Sequence, residues 1–271
     1  TMFWPGSEAD IRGVRPSYWT PFDQSMPGDA RVDQVLTWLD LPAAQRPALT
    51  TLYFDIVDTM GHHHGPDGAE TLEAMASVDA SIGRLVDGLK ARGLYENTVL
   101  VVVSDHGMAA TSPDRVTVLD DIVDPEAVQI IYSGAVTFLN PVAGREAEVE
   151  QALLGSRPHL DCWRKSEIPA RLVLGSNPRV SAIVCASEPG WLLATRARPV
   201  TKPGGAHGYD NAAPEMQAVF IAHGPSIRPG VRLTEMDSVD VQPLLGRLLG
   251  IEAPHGDGRI DDLPPALVPA D

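Results

Sequence analysis

The chain has 271 residues, 44% of them hydrophobic, and a formal charge of −15 from 36 acidic against 21 basic side chains. That apolar fraction is ample for a real core, while the acidic balance argues against a nucleic-acid polymer or an anionic membrane surface as the general partner. No apolar stretch approaches the roughly eighteen residues of a spanning helix, so no membrane span is expected. The first fifty residues are rich in Pro, Gly and Trp and carry one short helical pattern at Val32, Val35, Leu36 and Leu39; they read as surface segments packed over a site. "LTTLYFDIV" (49–57) has the texture of a strand. From Leu72 the apolar residues Met75, Val78, Ile82, Leu85, Val86 and Leu89 form a helical stripe that Gly93 can end. "TVLVVV" (98–103) is a second strand, and residues 49–103 therefore make a β-α-β unit of the kind that builds a parallel sheet.

Between 120 and 200 the texture changes to short alternating segments. "VQIIYSGAVTFLN" (128–140) reads as two strands, "REAEVEQALLG" (145–155) as a helix, and "RVSAIVCA" and "WLLATRA" as two further strands. The chain then returns through "GGAHGYDN" (204–211) and "MQAVFIAHG" (216–224) to a last helix around "VDVQPLLGRLLG" (239–250). The expected architecture is α/β: a mostly parallel sheet with helices on both faces, formed by 1–119 and 201–271, with 120–200 as a small α+β insertion that serves as a lid or packing module.

Ligands of such sheets sit outside the carboxyl ends of the strands, and three histidine-bearing segments fall at such ends. "DTMGHHHGP" places Asp58 four residues before His62 in a Gly-rich turn, "SDHGM" places Asp105 beside His106, and "GGAHGYDN" places His207 in another Gly-rich turn. An Asp/His set without thiolates suits Zn²⁺, with Mn²⁺ or Fe less favoured by ligand softness. Five ligands exceed the usual three of one catalytic zinc, which points to two metals sharing a site, as in-line displacement at phosphorus uses them. His63, His64, His159, His223 and His255 read as ordinary polar surface residues. Cys162 and Cys185 belong to no CxxC pair; one disulfide and two buried thiols are both open.

The segments "FWPGSEADIRGVRP", "YFDIVDTMGHHHGP", "VVVSDHGM" and "GGAHGYDN…EMQAVFIAHGP" resemble the second half of a nucleotide pyrophosphatase/phosphodiesterase, of the alkaline phosphatase superfamily, over nearly the whole chain from Phe3 to about Leu249. The resemblance implies two Zn²⁺, one held by Asp58, His62 and His207 and the other by Asp105 and His106. It implies a nucleobase slot at Trp4, Pro5, Phe22 and Tyr53, with Phe22 where a Tyr is common, a change that keeps stacking and drops a hydroxyl. The implied reaction is hydrolysis of nucleotide phosphodiesters to 5′-monophosphates through a covalent nucleotidyl-threonine.

The family's Thr nucleophile, and an Asp completing the second zinc, stand upstream of the segment matching Trp4. The expectation is therefore a C-terminal portion with its catalytic Thr upstream, whose partners are the substrate and the upstream half of the enzyme. The resemblance also makes export to a periplasmic or extracellular setting, and a Cys162 to Cys185 disulfide, the expected state. Competing readings are another hydrolase of the superfamily (phospholipid-headgroup diesterase, phosphomonoesterase or sulfatase) and a catalytically silent fragment. The aromatic set and the "WPGSE" match favour the nucleotide reading.

Overall fold

Helix α1 (Gly28–Leu39) buries Val32, Val35 and Leu36 of the predicted stripe and buries Arg31 and Trp38 with them, while Leu39, the stripe's fourth member, is half-buried. A computed structural model of the chain describes residues 1–260 and 264–268; the remaining positions of the expected 201–271 segment lie outside the described residues. Helix α3 (Ala69–Ala91) follows the predicted stripe, and Gly93 ends it with φ of +63°, a left-handed conformation that glycine adopts without a Cβ penalty. The first members of that stripe, Leu72 and Met75, are nevertheless exposed, while Leu89 is fully buried.

The described chain divides into two compact units, one of 1–55, 75–105 and 219–271 and the other of 56–74 and 106–218. In the first, strand β1 (Leu100–Val103) pairs antiparallel with β11 (Phe220–His223). A core of Met2, Phe3, Val35 and Trp38 gathers Tyr18, Met26, Leu52, Tyr53 and Leu85 around it. The C-terminal helix α5 (Val241–Leu249) buries Leu244 and is capped by left-handed Gly250.

Two expectations need correction here. Residues 49–57 are not a strand: Leu52 makes a single parallel bridge to Met2, and helix α2 (Ile56–His64) begins inside the predicted run. The run's β-branched and aromatic content is a weak preference that tertiary context overrides. Likewise, no ladder joins 49–57 to β1 among the described residues. The parallel pairings described there are the ladder of β3 (Val116–Val118) with β9 (Leu192–Ala194) and the bridges from Met2 to Thr20 and Leu52.

In the second unit, β4 (Val128–Tyr132), β5 (Val136–Pro141), β6 (Gly155–Arg157), β7 (Leu160–Arg164) and β8 (Ile183–Ser187) form an antiparallel sheet in the order β4-β5-β8-β7-β6. Helix α4 (Glu146–Leu153) contributes Val149 and Leu153 to its core, which also takes in Leu139, Leu160, Ile183 and Leu193. Cys162 and Cys185 face each other on β7 and β8 and are disulfide-bonded, so the alternative of two free thiols is set aside. A second cluster, Ala109, Ala135, Tyr209 and Met216 with Leu192 against it, packs residues from within 120–200 against those flanking His106 and His207.

Candidate metal site

Asp58 and His62 stand on α2, not in a turn. Four residues apart on a helix, they share one face, and Asp58 Oδ1 lies 3.4 Å from His62 Nε2. His207 directly follows β10 (Gly204–Ala206), whose two glycines are strand rather than turn and pair antiparallel with β2 (Ala109–Thr111), the strand just after His106. The sequence reading missed why those glycines are there. A Cβ on Gly204 would meet His62 O at 2.4 Å, and one on Gly205 would meet Gly61 O at 2.4 Å. Only bare backbone lets β10 lie this close to the backbone of α2, and that approach carries His207 to the face holding Asp58 and His62.

The arrangement centres on one carboxylate oxygen. Nε2 of His207 lies 3.6 Å and Nε2 of His106 4.0 Å from Asp58 Oδ1, the oxygen that also faces His62. The His106 and His207 rings stack with centroids 3.5 Å apart and planes 8° from parallel. His62 Nδ1 is 2.9 Å from Gly205 O, and His106 Nδ1 is 2.9 Å from Gly107 O. A carbonyl can only accept, so each Nδ1 carries its proton and donates it, leaving Nε2 as the ligating nitrogen.

Asp58 Oδ1 is buried and has no hydrogen-bond partner. An anionic oxygen facing imidazole lone pairs with no donor is unfavourable unless a cation lies among them. The spacing fits one. Ligands about 2.1 Å from a tetrahedral Zn²⁺ stand about 3.4 Å from each other, close to the separations of Asp58 from His62 and His207. Asp58, His62 and His207 are also the group of three potential ligands that the described residues bring together, with donor atoms all within 4.8 Å of one another.

Neighbouring residues steady the loop after His207. Tyr209 is buried, and burial pushes its phenol up to about 12, so it stays neutral. Asp210 forms a two-pronged ion pair with Arg171, whose guanidinium holds that carboxyl below the usual range.

Asp105 is exposed just beyond the end of β1 and belongs to the first unit. That unit also holds the four positions that the resemblance assigns to a base-binding slot. Trp4 and Phe22 are 41% and 49% exposed. Pro5 is exposed, Tyr53 is half-buried, and the Phe22 and Tyr53 rings lie 6.5 Å apart. Buried Phe3, which the sequence reading did not single out, meets Phe22 edge-on at 5.4 Å. Of the histidines read as surface residues, His64 pairs with Glu70, His159 with Glu188 and Trp191, and His223 stacks on Tyr95.

The chain has an α/β, alkaline phosphatase-like fold, shared with solved relatives. Murine ectonucleotide pyrophosphatase/phosphodiesterase 5 superposes on 98% of the chain with a TM-score of 0.92 and 34% identity, the match covering 70% of that protein. The same figures hold for its inactive threonine-to-alanine variant in complex with AMP. Residues 1–210 match the family model of type I phosphodiesterase / nucleotide pyrophosphatase, and the chain belongs to that family. Human ectonucleotide pyrophosphatase/phosphodiesterase family member 5 is 32% identical over 271 residues, 98% of this chain and 56% of the human protein. Venom phosphodiesterase of Naja atra is 32% identical over 267 residues, 95% of this chain. The chain spans about a third of the length of that venom enzyme.

Proposed function

We propose that this chain is part of a metal-dependent hydrolase of nucleotide phosphodiesters that releases 5′-monophosphates. The observation that carries the reading is the buried, unpartnered Asp58 Oδ1 facing the Nε2 atoms of three histidines. Asp58, His62 and His207 would hold one Zn²⁺, and Asp105 and His106 would contribute to a second. When bound, such ions neutralise charge on the non-bridging phosphate oxygens and acidify a nearby hydroxyl or water.

The chain's own residues have two tasks in this scheme. Gly205 O and Gly107 O fix the Nδ1 protons of His62 and His106, which keeps the ligating nitrogens free and aimed. Trp4, Phe22 and Tyr53 stack the base and so select nucleotides over bare aryl esters. The nucleophile in this reading is a Thr upstream of Thr1. Its oxygen bonds to phosphorus as the leaving alkoxide departs, and water then hydrolyses the nucleotidyl-threonine. The inactive threonine variant of the murine relative, and its AMP, support that assignment. The venom and ectonucleotidase relatives and the Cys162–Cys185 disulfide support export.

The test uses the full-length protein, with metal content and turnover of a nucleotide aryl ester measured together. We expect bound zinc, loss of activity to chelators with recovery on adding Zn²⁺, and a drop of about 10²-fold or more in His207→Ala, since a lost ligand is not replaced by outer partners. Active protein free of transition metal would overturn the reading.

A further inference from the structure

The aromatic slot is assembled from three segments distant in sequence, and one buried side chain touches all three. Arg31 on α1 is 4% exposed. Its Nη1 donates to Tyr53 O at 3.0 Å and to Asp55 Oδ1 at 2.7 Å, and its Nε donates to Met26 O at 3.0 Å. Its guanidinium carbon lies 4.9 Å from the Phe3 ring centroid, a cation–π arrangement. These contacts fall on the carbonyl of one slot residue, Tyr53, on the turn shortly after another, Phe22, and on the residue preceding a third, Trp4.

The backbone at Phe3 supplies an independent observation. Phe3 has φ of +60°, a left-handed conformation that is strained for a bulky residue and persists only where the surroundings over-determine it. The ring is clamped between the Arg31 guanidinium and the edge of Phe22. Phe3 is buried while Trp4, the next residue, is exposed.

We infer that Arg31, charge-balanced by Asp55, is the positioning residue of the nucleobase platform: it sets the geometry of Trp4, Phe22 and Tyr53 without touching the substrate. The inference rests on the nucleotide reading above. Its chemistry requires a planar fork. Arginine presents donors in fixed directions and a flat cationic face to the ring, whereas lysine offers a point charge and can satisfy only part of this set. Arg31→Lys therefore keeps the charge beside Asp55 and loosens the platform.

The experiment compares kcat and KM of the full-length wild type, Arg31→Lys and Asp55→Asn on two probes, the p-nitrophenyl ester of thymidine 5′-monophosphate and bis(p-nitrophenyl) phosphate, which has no base. Stacking is worth about 1–3 kcal/mol per base and tenfold corresponds to about 1.4 kcal/mol. Arg31→Lys should thus raise KM for the nucleotide ester about tenfold, with kcat and the base-free probe changed by less than about twofold. Asp55→Asn, which leaves the guanidinium in place but removes its counter-charge, should shift KM in the same direction by a smaller factor, and it decides the matter if Arg31→Lys does not fold. Equal losses on both probes, or no change in nucleotide KM, would overturn the positioning role. A wild type that shows no preference for the nucleotide ester would instead sink the nucleotide reading itself, so the two failures are distinguishable.

Discussion

Gly205→Ala adds one methyl group where β10 crosses α2, and the structure gives the size of the disturbance. The new Cβ would stand 2.4 Å from Gly61 O and 2.9 Å from both Met108 Cγ and Met108 Sδ. Met108 is flexible and can yield, but Gly61 O belongs to the helix backbone. To bring 2.4 Å up to 3.0 Å, the closest approach a Cβ makes, the two backbones must separate by about 0.6 Å or more. His62 follows Gly61 and its Nδ1 is bonded to Gly205 O, so the imidazole moves with whichever backbone gives way. Overpacking of this kind costs about 1–3 kcal/mol of stability. A displacement approaching 1 Å at a catalytic constellation costs about 10²-fold in rate. We therefore expect Gly205→Ala to fold with a modestly lower melting temperature and to turn over a nucleotide aryl ester some 10²-fold more slowly. Its affinity for Zn²⁺ at the Asp58/His62/His207 set should fall in parallel, measured by competition with a chromogenic chelator. A variant with wild-type zinc affinity and activity would refute the argument that bare backbone at this crossing builds the site.

A companion substitution separates glycines that are needed from glycines that are not. Gly83 lies in α3 with open space around its would-be Cβ and no left-handed backbone, so Gly83→Ala should raise unfolding free energy by about 1 kcal/mol in a denaturant titration without altering activity. The Cys162–Cys185 bridge spans a sequence separation of 23, for which loop-closure entropy gives about 3 kcal/mol. Cys162→Ala with Cys185→Ala should lower unfolding free energy by about that much in the same titration, and an unchanged midpoint would show that the bridge does not constrain the unfolded chain.

How far the sequence alone reached depended on whether a feature was local. Asp58, His62 and His207 were legible as candidate ligands because each sits in a short motif rich in metal-binding residue types, and the structure does bring the three together. Helix α3, helix α4 and strands β4, β5, β8 and β9 were legible because period and punctuation are local properties, whereas β6 and β7 of the inserted sheet were not read as strands. Residues 49–57 were misread because a run rich in β-branched and aromatic residues reads as strand whether or not a partner strand is present. The spacing of Asp58 and His62 did not decide the matter, since positions four apart share a face on a strand as well as on a helix.

What stayed hidden was decided at long range. The antiparallel pairing of β1 with β11 joins residues about 120 positions apart, and nothing in an apolar run of four states its partner. Gly204 and Gly205 look like turn glycines because their reason for existing, the carbonyls of Gly61 and His62, lies on another element. Arg31 is the sharpest case. Within an amphipathic helix a lone arginine reads as part of the solvated face, and only the carbonyls of Met26 and Tyr53, the Asp55 carboxylate and the Phe3 ring, converging from three segments, make it a buried one. The aromatic positions proposed to meet a base come from their motifs, while Arg31, proposed to hold them in register, becomes visible as a buried group only once the chain has folded around it.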